Sequence, residues 1–327
     1  MQQRVEYFDN LKGVLIILVV IGHCLEKCDD KSWIHLMYTF IYTFHMPLFV
    51  MTAGYFSKDI DRFQNLFKKI LPYIFLYIIF QVLHLIIDDG FQSVIYAILY
   101  PQYSLWFIFS LICWYVFDYF ISKKLKINKW YLPACVLISL IVGLLPVDRE
   151  LSIQRTFSFF PFFMLGKLCR LKMKKSFLFI GKTTAFLLFF AMIVMISLIP
   201  FDLSAFLYGQ LSLWHIAHHL YSSIAIKLSF FLLTFCASLA AAALIPTRRI
   251  NWLAWIGRRT LFIYLYHTLI LSILIRYLHL SGPVGFACLF AINIIFLAIL
   301  YNINLMRNLV DVKKISNIFS AIQRKRV

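Results

Sequence analysis

Residues 10–27 read NLKGVLIILVVIGHCLEK, and this stretch decides the fold. Every residue between Gly13 and Gly22 is apolar, yet Lys12 stands before the run and His23 and Glu26 stand after it. A helix that crosses a bilayer needs about 20 mostly apolar residues. The same rule carried along the chain gives further spans near 33–56, 66–87, 103–122, 131–147, 154–170, 177–200, 223–246, 259–279 and 283–305. The expected fold is therefore all-α, a polytopic transmembrane bundle of about ten helices forming a single domain over residues 1–327. The apolar stretch 91–101 is too short to span and reads as interfacial or re-entrant. Segment 203–222, with its His and Trp residues, reads as a structured outer loop.

Composition agrees. Hydrophobic residues make up 62% of the 327 positions and charged residues 14%, against about 45–50% and about 25% in soluble domains. The formal net charge of +18 does not indicate nucleic acid, because that needs basic residues gathered on one soluble face. Here Lys and Arg fall in short runs between apolar spans, which is a topology signal. With the N-terminus cytoplasmic, the basic runs at Lys58–Lys69, Lys123–Lys129, Lys167–Lys182 and Arg248–Arg259 and the C-terminal tail all lie inside. The outer connections are richer in acid, with Asp29, Asp30, Asp88, Asp89, Asp148, Glu150 and Asp202. Both termini are thus expected in the cytoplasm. The first apolar run lacks a basic leader and a small-residue cleavage site, so it reads as a transmembrane helix and not a signal peptide. No appended soluble domain is expected.

The seven cysteines sit almost entirely in apolar segments and give no disulfide framework. Cys24 and Cys28 are four apart, but two ligands do not make a metal site. His215, His218 and His219 are spaced like ligands, yet no carboxylate or cysteine completes a set, so no metal is expected.

Charged groups within a bilayer cost about 2.5–3.5 kcal/mol each on insertion scales and default to functional hypotheses. Lys12 and His23 are eleven residues apart, about 16 Å along a helix axis, so they serve different depths. Glu26 shares a face with His23. It either orients the imidazole as a base requires or marks the helix end at the outer interface. His45 lies in Phe44-His45-Met46-Pro47, beside a proline that kinks the span. Arg155 opens its helix near the level of His23. It either binds an anion or a developing oxyanion, or snorkels to headgroups. Trp106 is a sugar-stacking platform or an interfacial belt residue, and sequence favours the belt. His267 sits mid-span in Tyr264-Leu265-Tyr266-His267.

Together these pieces resemble the integral membrane acyltransferase 3 family, especially its fucose 4-O-acetylase-like branch of polysaccharide O-acetyltransferases. Tyr7-Phe8-Asp9-Asn10-Leu11-Lys12-Gly13 followed by Gly22-His23 is similar to the first-helix motif of a basic residue, ten positions and a His. Lys12 stands where Arg is usual, which keeps the charge but loses the planar fork. Phe44-His45-Met46-Pro47-Leu48-Phe49 and Ala53-Gly54-Tyr55-Phe56 are similar to the second-helix motif, with Ala53 where Ser is common. Leu105-Trp106-Phe107, Arg155 to Gly166, and Tyr264 to His267 follow in the family's order.

The resemblance implies an enzyme of the bacterial cytoplasmic membrane that moves an acyl group from acetyl-CoA, or another acyl-CoA, to a saccharide or lipid-linked glycan acceptor. It places Lys12 and Asp9 near the acyl-CoA entrance and makes His23 the essential base or a transient acyl carrier. Glu26 would support His23, and Arg155 or His45 would stabilise the oxyanion. His45, Trp106 and His267 would line the acceptor site. A proton-coupled transporter or flippase is the alternative, since buried His, Glu and Arg can form a proton relay. It lacks the repeat halves and broken helices of that class. A non-catalytic membrane scaffold or sensor would leave the buried charges without a purpose.

Overall fold

The structure is a computed structural model that describes residues 6–28, 33–87, 100–124, 130–147, 149–172, 180–198, 207–209, 212–216 and 219–324. No strand occurs among these residues. The helices are α1 (Glu6–Lys27), α2 (Trp33–Tyr42), α3 (His45–Phe56), α4 (Phe63–Ile87), α5 (Trp106–Lys124), α6 (Tyr131–Gly143) and α7 (Ile153–Lys172). They continue with α8 (Lys182–Leu198), α9 (Leu213–Ile216), α10 (Leu220–Leu244), α11 (Asn251–Gly257), α12 (Thr260–Tyr277), α13 (Gly282–Asn302), α14 (Asn304–Leu309) and α15 (Val312–Arg324).

Among the described residues, seven helical segments are long and apolar enough to cross a membrane. They are α1, the α2–α3 pair, α4, α5 with the turn before it, α10, α12 and α13. Helices α6 and α8 are apolar but shorter. α6 stops at Gly143 and not at 147, because Pro146 disfavours helical backbone at the residue before it. α7 has the length to span but carries Arg155, Lys167, Arg170 and Lys172. The stretch 91–99, His218 and residues 203–206 lie outside the described residues.

α1 is the central element, touching α2, α3, α11, α12 and α13. The second span is two helices and not one. Pro47 has no N–H to give the carbonyl four residues back, and the chain turns at Thr43–Phe44. The Thr43 hydroxyl donates to the Phe40 carbonyl (2.7 Å), and the His45 ring takes the Ile41 carbonyl (2.8 Å). These side chains add to the tight-turn bonds that the Thr43 and Phe44 amides already make to the same two carbonyls, 3.2 and 3.3 Å, and so reinforce the turn between the helices.

Two glycine pairs let helices meet at backbone distance. A Cβ on Gly54 would collide with the Phe163 carbonyl, and one on Gly166 with the Met51 carbonyl, so α3 and α7 cross there. Gly13 and Gly257 act alike between α1 and α11, against the Leu253 and Asp9 carbonyls. Membrane helices lack a hydrophobic drive to associate, so such close approach carries much of their packing. Gly166→Ala is expected to cost about 1–3 kcal/mol, because backbone and not a flexible side chain must give way. Thermal unfolding in detergent reads this, and an unchanged melting temperature would show that the crossing tolerates a methyl group.

The α3–α7 crossing is completed by an ionic cluster with a buried Lys167–Asp118 pair at its centre and an exposed edge at Asp59. Lys167 of α7 is fully buried and its ammonium contacts Asp118 of α5, Asp59 beyond α3 (2.7 Å) and the Ser122 hydroxyl (2.7 Å). Ser57 donates to the other Asp118 oxygen (2.9 Å), and Arg170 reaches Asp59 at 3.4 Å.

Candidate active site

One helical turn separates His23 from Glu26, and this register places the carboxylate Oε2 3.2 Å from the imidazole Nδ1. Tyr42, the last residue of α2 before the break, donates its hydroxyl to the same Oε2 (3.0 Å) and stands 3.2 Å from Nδ1. Lys27 donates to the other oxygen, Oε1 (3.2 Å). An ionised carboxylate only accepts, so Nδ1 carries a proton directed at Glu26 and Nε2 is left as the basic nitrogen. A base whose tautomer is set by a carboxylate is the arrangement that proton abstraction from a hydroxyl needs.

His23, Glu26 and Tyr42 line a cavity of about 450 Å³. Its wall also holds His45, Gln102, Ser104, Trp106, Arg155, Tyr208, Tyr264 and Thr268. Arg155 lines this space. Its guanidinium lies between Trp106 and Tyr208, 5.1 and 5.6 Å from the ring centroids, and its Nε donates to the Tyr208 carbonyl (3.2 Å). The belt reading of Trp106 is overturned: the ring is only 8% exposed and packs on Phe159. Burial, and then the charge of nearby Glu26, raise the Tyr208 phenol above its ordinary pKa, which keeps it a neutral donor.

The other expected residues fall in different places. His45 lines the cavity, but its Nδ1 donates to Ile41, so the neutral ring offers Nε2 only as an acceptor. His267 is fully buried, does not line the cavity and packs behind His23, with ring centroids 5.3 Å apart. Its Nδ1 likewise meets a carbonyl, that of Ile263 (2.9 Å). Among the described residues no three His, Cys, Asp or Glu side chains converge as a metal site would require.

Lys12 lines a second cavity of about 210 Å³, walled by Phe49, Phe56, Phe107, Leu111 and Leu261 among others. Asp9 lines neither cavity. It is the counter-ion of Lys12 (3.1 Å) and of Arg258, the residue after α11 (3.8 Å). The two cavities share Val19, Met46 and Tyr264, so the space beside Lys12 abuts the space beside His23.

Sequence reasoning missed Tyr42, Tyr208 and Thr268. Tyr42 and Thr268 lie beside the Phe44–Phe49 and Tyr264–His267 motifs, which could have pointed to them, whereas Tyr208 carries no local signal. Tyr264 was within a noted motif, and its hydroxyl donates to the Ser104 carbonyl.

No solved structure matches the chain. The nodulation protein NolL of Sinorhizobium fredii is 27% identical over 178 residues, covering 49% of this chain and 47% of that protein. NolL of Mesorhizobium japonicum is 46% identical over 55 residues, covering 16% of this chain and 15% of that protein. The chain thus spans about half the length, or less, of the curated relatives it matches. Residues 5–302 match the family described as an acyltransferase domain. That match runs through nearly the whole chain, from ahead of Lys12 and His23 to beyond His267, and the chain belongs to this family of acyltransferases.

Proposed function

We propose that this chain is a membrane O-acyltransferase that moves an acetyl group from acetyl-CoA to a hydroxyl of a cell-surface glycan or its lipid-linked precursor. The observation that carries the reading is the His23–Glu26–Tyr42 group lining a roomy polar cavity that abuts a narrower aromatic one. The polar cavity suits a saccharide, with Trp106 as a stacking face. The narrower cavity, with Lys12 at its wall, suits the slim arm of an acyl-CoA whose phosphates remain among the basic loops. In this proposal ten crossings place both termini in the cytoplasm of a bacterial cell, with residues 1–327 acting as one domain.

The chemistry needs one base and good positioning, because a thioester is already activated. His23 Nε2 takes the proton of the acceptor hydroxyl while that oxygen bonds to the thioester carbonyl carbon. Arg155 stabilises the oxyanion that develops. The carbon–sulfur bond then breaks, and His23 returns its proton to the departing thiolate. Glu26 holds the imidazolium in place throughout. Glu26→Gln is expected to lower turnover by at least about tenfold, as loss of an orienting carboxylate does, while Tyr42 still holds the ring. Turnover equal to wild type would remove Glu26 from the mechanism.

The reading is tested by incubating membranes that contain the chain and its glycan with radiolabelled acetyl-CoA. Label in saccharide only when the chain is present supports an acyltransferase acting on glycan. Absence of CoA-dependent label, together with proton-driven solute flux, would move the molecule to the transporter class.

A further inference from the structure

Three residues line both cavities and so stand where the two meet, here called the collar, and each is placed there by a distinct cause. Val19 is four residues before His23, so it lies one turn below it on the same face of α1. Tyr264 is held by its hydroxyl on the Ser104 carbonyl and by edge contact with Phe107, 5.6 Å between centroids. Met46 follows the α2–α3 break directly, between His45, whose ring caps Ile41, and Pro47. Val19 and Tyr264 are buried at 2% and 5% exposure, whereas Met46 is only partly buried. Two sides of the collar are therefore fixed, and the third is an unbranched thioether side chain that changes shape easily.

This inference rests on the proposed acyl transfer. For His23 to act, the thioester carbonyl has to stand where the Lys12 cavity meets the His23 cavity, with sulfur on the Lys12 side. The acyl tail then occupies the collar itself or the space of the acceptor. An acetyl group adds one methyl there. Each further methylene has to displace Met46 or the incoming saccharide, since Val19 and Tyr264 cannot withdraw.

We propose that the Val19–Met46–Tyr264 collar is the acyl-length filter of this enzyme, and that Met46 is the residue that restricts the donor to a two-carbon acyl group. Met46→Ala removes the three outer heavy atoms of that side chain and opens room for a longer tail.

The test compares radiolabelled acetyl-CoA and butyryl-CoA as donors to membrane glycan, on the same preparations of wild type, Met46→Ala and Val19→Ala. The readout is the butyryl-to-acetyl transfer ratio, which does not depend on how much of a variant is folded. Wild type is expected to favour acetyl. Met46→Ala is expected to raise the ratio by about tenfold or more, the discrimination that one or two methylenes provide in an apolar site. Val19→Ala is expected to raise it less, because it removes less volume. A wild-type ratio near one, or a ratio unchanged in both variants while acetyl transfer persists, overturns the filter and leaves the acyltransferase reading standing. Transfer from neither donor by wild type overturns that reading and the filter with it.

Discussion

Replacing His23 with alanine is expected to lower acyl transfer by about 10²- to 10⁴-fold, the contribution of a positioned general base. The effect should fall on turnover. His23 touches Glu26 on its own helix and Tyr42 on α2, but the Tyr42–Glu26 bond joins those two helices without it, and its side chain is 20% exposed, so the bundle should survive its loss. Glu26 would keep Tyr42 and Lys27 as partners. A sample of His23→Ala with wild-type melting behaviour and background transfer is the expected outcome. The cavity left by the ring adjoins the 450 Å³ space, so added imidazole should restore part of the lost rate. Full activity in His23→Ala would exclude it as the base. Loss of activity together with loss of the folded protein would make His23 structural.

The largest expected effect on stability lies elsewhere, at Lys167. Its ammonium is fully buried against Asp118, itself 3% exposed. Removing one partner of such a pair leaves a buried charge without compensation and typically costs about 3–5 kcal/mol. Lys167→Met should therefore lower the melting temperature strongly and reduce the yield of folded protein in detergent. Removing both charges with Lys167→Met and Asp118→Leu should recover much of the loss, since an apolar pair of similar volume suits the interior. If the single variant melts like wild type, the cluster is not what joins α3, α5 and α7.

Asp59 adds a pH dependence of definite sign to this cluster. Partial burial by itself would raise its pKa, but the hydrogen bond and charge of Lys167, and then the charge of Arg170, hold the carboxyl below its ordinary value. A carboxylate with a depressed folded pKa stabilises fully above its unfolded value, about 3.9. That contribution disappears as pH falls through the folded value. Between pH 5 and 8 the lock should thus be insensitive to Asp59 titration, and acid weakening should begin only below about pH 4.

The first helix shows how much of the site a sequence can display. Lys12, His23 and Glu26 lie on one helix, so their axial separation and shared face follow from the 3.6-residue repeat alone. The break beside Pro47 was equally legible, because proline's missing N–H is a local fact. The seven segments suited to crossing a membrane follow from runs of apolar residues. The protein's family was also visible, through motifs in order along the chain.

Other assignments needed the fold. Whether Arg155 reaches headgroups or a cavity depends on Trp106 and Tyr208, which approach it from separate elements. Trp106 has the sequence profile of a belt residue, and only packing on Phe159 turns it inward. His45 and His267 look like donors until the Ile41 and Ile263 carbonyls are seen to take their Nδ1 protons. Asp9 looks like a ligand until Arg258, far along the chain, is found beside it.

The division has one physical reason. Periodicity, charge bias and proline act through bonds a few residues long, and a bilayer's thickness turns them into spans and orientation. Hydrogen-bond partnership and cavity shape are set by side chains converging from helices that are remote in sequence. The sequence by itself therefore determined a helical membrane acyltransferase with His23 above Lys12 on α1. Tertiary structure alone decided that Tyr42 meets His23 and Glu26, that Arg155 lines the same cavity, and that Val19, Met46 and Tyr264 line both cavities.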